Sequence, residues 1–224
     1  MKYRNLGNTN IKVSEIGFGA WGIGGNKSQF PSYGPTDDAT SVKALRKAKD
    51  LGITFFDTSN QYGGGHSEKL IGETFKYERE QIVIASKVGW INNKDEDIYS
   101  PSTLRNSLEN SLKRLKTDYI DLYQLHSPDI DDINDNETLF KTLNDFIKEG
   151  KVRAIGISVK SPEDALKAIQ YIDFKSIMIN FNMMDIRALQ CGLFQQAREM
   201  NVGIIARTPL CFGFLTGQYN EKTE

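Results

Sequence analysis

Phe55-Phe56-Asp57-Thr58-Ser59-Asn60-Gln61-Tyr62 starts as a short apolar run and turns polar, the pattern of a buried strand opening into a loop. Three later stretches repeat it: Ile84-Ala85-Ser86-Lys87, Leu122-Tyr123-Gln124-Leu125-His126, and Ile204-Ile205-Ala206-Arg207-Thr208-Pro209-Leu210. An acid, a phenol, an amine and an imidazole thus fall at strand ends or just beyond them. That is where a parallel barrel collects its chemistry.

Outward from these stretches the same unit recurs. Residues 14–19, 54–57, 82–87, 120–126, 154–158, 176–180 and 202–207 read as strands. Between them, Val42, Leu45, Ala48 and Leu51 repeat at helical spacing after Asp37 and stop at Gly52. Further helices are predicted near Glu68–Gly72, over Pro101–Leu115, over Glu137–Glu149 with a stop at Gly150, from Pro162 onward, and over Leu189–Met200. Ahead of the first unit, Gly7-Asn8-Thr9-Asn10 between two short β-prone runs predicts a hairpin. Apolar strands alternating with amphipathic helices imply an α/β fold with a parallel sheet. Polar residues end several strands and form a ring, not one crevice, which favours a (β/α)8 TIM-type barrel over an open doubly wound sheet. Such barrels take about 250 residues. Here 224 residues reach only the seventh strand, so the expectation is one domain over residues 1–224, truncated before the eighth strand. Self-association or a missing C-terminal segment would then cover the open edges.

Composition narrows the function. Lys plus Arg (28) nearly balances Asp plus Glu (29), and the basic residues are scattered, so no nucleic-acid footprint is expected. No run has the roughly 18 apolar residues of a membrane helix, and Met1-Lys2-Tyr3-Arg4 does not open a secretory signal, which points to the cytoplasm. Cys191 and Cys211 are expected as free thiols, and His66 and His126 lack the short spacing of a zinc site. No metal is expected.

Asp57, Tyr62, Lys87 and His126 make a coherent set. A phenol titrates near 10, too high for easy proton exchange at neutral pH, and a neighbouring ammonium favours its ionised form. An aspartate would hold that ammonium in place, and an imidazole would bond the substrate oxygen. Together they describe a general acid for a carbonyl whose carbon receives a hydride.

With these residues the chain resembles the aldo-keto reductases. The likeness includes Asp57-Thr58-Ser59-Asn60-Gln61-Tyr62-Gly63, Ser67-Glu68-Lys69-Leu70-Ile71-Gly72 and Ser86-Lys87-Val88-Gly89, then Leu125-His126-Ser127-Pro128-Asp129, Gly150–Ser158 and Pro209–Gly217. It implies NADPH-dependent reduction of an aldehyde or ketone on a barrel, with NADH not excluded. Tyr62 would be the proton donor, Lys87 and Asp57 would tune it, and His126 would orient the carbonyl. The resemblance also implies cofactor contacts from Gly19, Trp21, Ser158, Met178, Arg207, Thr208, Pro209, Leu210, Gly213 and Leu215. Two polar anchors that the family often places near the carboxamide are replaced by Val159 and Met178, and Arg207 stands where an aromatic residue is often found. A non-catalytic cofactor-sensing or partner-binding subunit, or an inactive fragment, is the alternative.

Other features are assigned more plainly. Gly17-Phe18-Gly19-Ala20-Trp21-Gly22 fits a dinucleotide-binding spacing, but Gly24-Gly25 and Pro31 follow, so it is read as a strand ending in a flexible loop. Gly156-Ile157-Ser158-Val159-Lys160 lacks the closing glycine of a nucleophile elbow. Trp21 and Trp90 are candidate walls of a substrate pocket. His66 and the acidic run from Asp129 to Asp135 are read as solvated loop.

Overall fold

Alternation along each strand sorts the side chains between two cores. The structure, a computed structural model, describes residues 1–27, 32–89, 97–133, 136–171, 173–220 and 223. A hairpin of β1 (Tyr3–Asn5) and β2 (Lys12–Ser14) precedes the strands β3 (Gly17–Gly19), β4 (Phe55–Asp57), β5 (Val83–Val88), β6 (Ile120–His126), β7 (Val152–Ser158), β8 (Ser176–Asn180) and β9 (Gly203–Arg207). These last seven form one parallel sheet in chain order, with β3 and β9 at its edges. The helices α1 (Trp21–Gly24) and α2 (Asp38–Asp50) follow β3, α3 (His66–Phe75) follows β4, and α4 (Pro101–Leu115) follows β5. After β6 come α5 (Ile130–Ile133) and α6 (Glu137–Lys148), after β7 α7 (Pro162–Ala168), and after β8 α8 (Arg187–Gln190) and α9 (Leu193–Glu199). This is the expected (β/α) barrel architecture with its N-terminal hairpin, built on seven strands. A cleft of about 800 Å³ runs between the β3 and β9 edges.

The larger core lies between sheet and helices. Phe56, Ile84, Val88, Tyr123, Leu125, Ile155, Ile157 and Ile177 meet Leu45, Leu104, Leu108 and Phe146 there. The intervening residues Phe55, Val83, Ala85, Leu122 and Ala154 form a second core, closed from below by Leu6, Ile11 and Val13 of the hairpin. Asn8 N donates to Asn201 O at 2.9 Å, tying the hairpin to the approach to β9. Farther along the strands this inner set turns polar: Asp57, Lys87, Gln124, His126 and Ser158 continue it by strict two-residue steps.

Helix starts follow local chemistry. Side-chain oxygens of Asp37, Ser100, Asn136 and Ser161 accept from backbone N–H groups of the first turns of α2, α4, α6 and α7, and Pro101 and Pro162 stand at first-turn positions. Each such cap stabilises its helix by about 1 kcal/mol.

Three expectations are corrected. The predicted helix over Leu189–Met200 is broken, because Gly192 at φ 82° ends α8 and opens α9. The segment after Gly19 is a helical turn, α1, that buries Ile23, not a flexible loop, and the strand before it is Gly17–Gly19 because Ser14 belongs to β2. Within the acidic run, α5 forms because Ile130 and Ile133, one turn apart, are both buried while Asp129, Asp131 and Asp132 are exposed; residues 134 and 135 lie outside the described residues. Among the described residues, no helix is long and apolar enough to cross a membrane, and no group of three or more His, Cys, Asp or Glu could hold a metal ion.

The α3–α4 contact depends on Gly72. A Cβ at this position would lie 2.5 Å from Arg114 O and from the Leu115 carbonyl carbon, both backbone atoms. Alanine is the better helix former by about 1 kcal/mol. Even so, Gly72→Ala is expected to destabilise the protein by about 1–3 kcal/mol through overpacking. Urea unfolding measures it, and an unchanged or raised stability would show that the two helices part without cost.

Candidate active site

Lys87 is the centre of the site. It faces inward from β5, its side chain only 1% exposed. Its ammonium donates to Asp57 Oδ2 at 2.6 Å, to the Thr58 carbonyl oxygen at 2.8 Å and to Tyr62 Oη at 3.2 Å. Burial works to strip the charge, but the Asp57 carboxylate and the Tyr62 oxygen outweigh it and hold the Lys87 ammonium above its ordinary pKa. Lys87 is therefore a permanent cation under the phenol. Asp57 is fixed from both sides, since its Oδ1 accepts from Gln124 Nε2 at 3.2 Å.

Behind this cluster, α3 supplies a polar brace. Ser67 Oγ donates to Ala20 O and shares a hydrogen bond with Thr58 Oγ1, both at 2.8 Å. Glu68 is fully buried, accepting from Ser86 Oγ at 2.5 Å and from Arg114 Nε at 2.7 Å. Ser86 precedes Lys87 and points the opposite way, so the brace grips the same strand from its outer face.

His126 ends β6 beside Tyr62, with ring centroids 6.0 Å apart. Its Nδ1 shares a 3.2 Å hydrogen bond with Ser59 Oγ, which also accepts from Gln61 N at 3.1 Å. Burial, helped by the positive charges of Lys87, Arg207 and Lys160, pushes the imidazole pKa down to about 3. The ring is neutral at physiological pH.

Tyr62 and His126 open into a cavity of about 480 Å³ at the C-terminal ends of the strands. Trp21, Tyr33 and Phe212 form an aromatic wall, with Trp21 4.5 Å from Tyr33 and 6.3 Å from Phe212 between ring centroids. Met178, Arg207, Thr208 and Pro209 also line it. Arg207 Nη2 donates to Val159 O at 3.1 Å, while its buried Nε has no partner. Three non-glycine residues of the lining, Ser127, Thr208 and Phe212, hold φ of 53–55°, a strained conformation of the kind that clusters at functional sites. Ser158 pairs in register with His126 on one side and Met178 on the other, and its buried Oγ has no hydrogen-bond partner. A hydroxyl so placed fits a bound amide, and the aromatic and thioether walls fit a flat ring.

The structure thus brings together Asp57, Tyr62, Lys87 and His126, and gathers Gly19, Trp21, Met178, Arg207, Thr208 and Pro209 around the same cavity. Ser158, Leu210, Gly213 and Leu215 fall outside its lining, Ser158 fully buried at the end of β7 and the others in and beside the 3₁₀ turn Cys211–Thr216. Trp90 lies outside the described residues. His66 is corrected: its side chain is 13% exposed at the first turn of α3, and Nε2 lies 2.8 Å from both Asp38 Oδ1 and Lys27 Nζ. Cys191 and Cys211 are free thiols. Sequence reading missed Gln124, Ser59, Tyr33, Lys160 and Phe212. Gln124 was within reach, because it stands two residues before His126 on one strand and must share its face.

Comparison with known proteins places this geometry among relatives. The family profile described as "Aldo/keto reductase family" matches residues 15–224. The aldo-keto reductase YhdN of Bacillus subtilis is 36% identical, aligned over 99% of this chain and 66% of its own length. Aldo-keto reductase yakc [NADP(+)] of Schizosaccharomyces pombe is 32% identical over 99% of this chain and 64% of its own. The NADH-specific methylglyoxal reductase of Escherichia coli is 33% identical over 97% and 70%. The holo form of Bacillus halodurans aldo-keto reductase AKR11C1 superposes with a TM-score of 0.85 at 29% identity, covering 100% of this chain and 72% of that one. The chain therefore spans about two thirds of the length of the curated relatives it matches.

The depressed imidazole pKa has a measurable consequence. Between about pH 6.5 and the folded value of about 3, the unfolded chain binds a proton that native His126 does not. This contribution to stability is fully present above about pH 6.5 and is lost as pH falls toward 3, by up to about 1.4 kcal/mol per pH unit. The His126 ring resonances in NMR are expected to stay those of a neutral imidazole from pH 8 to about pH 5. A titration midpoint near 6.5 would contradict the buried, cation-flanked setting.

Proposed function

The chain belongs to the aldo/keto reductase family, and from that premise we propose that it reduces an aldehyde or ketone with a nicotinamide cofactor, Tyr62 acting as general acid. The observation that carries this reading is the contact of Lys87 Nζ with both Tyr62 Oη and Asp57 Oδ2 at the base of a cavity.

The carbonyl oxygen would lie against Tyr62 Oη and His126. Were Ser59 Oγ to donate to Nδ1, the proton of the neutral ring would sit on Nε2, where it could donate to that oxygen. As negative charge develops on the oxygen, Tyr62 passes its proton to it. The Lys87 ammonium stabilises the phenolate left behind, without proton transfer of its own, and Asp57 keeps that ammonium charged and aimed. The Trp21, Tyr33 and Phe212 wall would set apolar surface against the reacting carbonyl. When bound, the nicotinamide supplies hydride to the carbonyl carbon. Ser158, Met178, Arg207, Thr208 and Pro209 would hold it. NADPH is the donor to test first, by analogy with the Schizosaccharomyces pombe relative named for NADP(+); the Escherichia coli relative named as NADH-specific makes NADH the necessary second arm.

The test is a panel of aldehydes and ketones incubated with the protein and each reduced cofactor, following cofactor oxidation. Tyr62→Phe is expected to lower kcat by about 10²- to 10⁴-fold with the cofactor Kd unchanged. Cofactor binding without turnover in the parent protein would favour a sensing or partner-binding role. Equal turnover by Tyr62→Phe would remove the tyrosine from the mechanism.

A further inference from the structure

The cavity is electrically lopsided. Asp57 is its one acidic lining residue among the described residues, and both carboxylate oxygens are occupied, one by Lys87 and one by Gln124. Lys160 and Arg207 also line the cavity, and the Asp57 carboxylate, already held by Lys87, acts on Arg207 without forming an ion pair with it. Among the described residues the Arg207 guanidinium bonds only the Val159 carbonyl oxygen, with Nε buried and unpartnered. With Lys87 balanced by Asp57, the half-buried Arg207 and the exposed, more screened Lys160 leave the reacting volume with an excess of positive charge. Their field already acts on a neighbour, since both help burial to suppress protonation of His126.

This charge bears on the two forms of a nicotinamide ring, and the inference rests on the cofactor reading above. When hydride leaves the ring, two electrons and a proton pass to the carbonyl carbon, and Tyr62 delivers the second proton to the oxygen. The ring, neutral before the step, becomes a pyridinium with one positive charge. To deliver hydride, it must reach the carbonyl held by Tyr62 and His126, and so must occupy the cavity that Arg207 and Lys160 line. The phosphates of the cofactor carry the same charge in both forms and cancel from the comparison. We infer that Arg207 and Lys160 make this site selective for the reduced, uncharged form of the cofactor and expel the oxidised form. The phenolate left on Tyr62 offsets the new charge at first; once Tyr62 regains a proton from solvent, the site weakens its hold on this product of the forward reaction.

A binding experiment tests this without turnover. Calorimetric titration of the full chain with the reduced and oxidised forms of one cofactor should give the reduced form at least about tenfold tighter, a modest effect for a cation within several ångströms in an effective dielectric near 20. Arg207→Gln should narrow the ratio several-fold, chiefly by tightening the oxidised form, and Arg207→Lys should keep it. Lys160→Met, at an exposed position, should narrow it in the same sense and guards against a folding defect in the Arg207 variant. Equal or tighter binding of the oxidised form by the parent protein overturns the inference while leaving the cofactor reading intact, as does an unchanged ratio in both Arg207→Gln and Lys160→Met. Binding of neither form overturns both.

Discussion

A lysine charge buried within the sheet is the constraint on which the site depends. Taking an ammonium out of water costs several kcal/mol unless nearly every proton is matched. Lys87 meets that demand with a carboxylate, a backbone carbonyl and a phenol, all within 3.2 Å. The three acceptors come from the segment Asp57–Tyr62 and the donor from β5, so the position of one loop on one strand sets the whole arrangement. Any shift of that loop would leave an unpaired charge in the barrel interior. Electrostatics thus enforces the geometry that the chemistry needs.

The brace from α3 shows how such a loop is kept still. Thr58, Ser67 and the Ala20 carbonyl form one chain of hydrogen bonds, and Ser86, Glu68 and Arg114 form a second. One reaches the loop that carries Asp57 and Tyr62, the other reaches β5 next to Lys87. Glu68 is a fully buried carboxylate, so it too is tolerable only because Arg114 and Ser86 satisfy it. Two buried charges of opposite sign, on opposite faces of one strand, are separately paired.

Much of this was readable in the sequence. Strand periodicity, helix caps and the polar strand ends were local signals, and they placed the barrel, the hairpin and the set Asp57, Tyr62, Lys87 and His126. What was not readable arose from distance in sequence. Tyr33 and Phe212 meet across Trp21 only because the loops after β3 and β9 converge, although some 180 residues separate them. His66 looked like a loop residue because three glycines precede it, and nothing local announces its contacts with Asp38 and Lys27. The break at Gly192 was a local signal overridden by an otherwise continuous helical pattern.

The two-residue alternation along β5 and β6 has an evolutionary consequence. Ile84, Ser86, Val88, Tyr123 and Leu125 secure the helices, while Ala85, Lys87, Gln124 and His126 face the interior. Substitutions on one face therefore leave the partners of the other largely untouched, so robustness and chemical innovation can drift along separate paths in the same strand. Insertion of one residue in either strand is the opposite case. It would exchange the two faces and abolish both properties at once, so divergence here must proceed by replacement and leave changes of length to the loops.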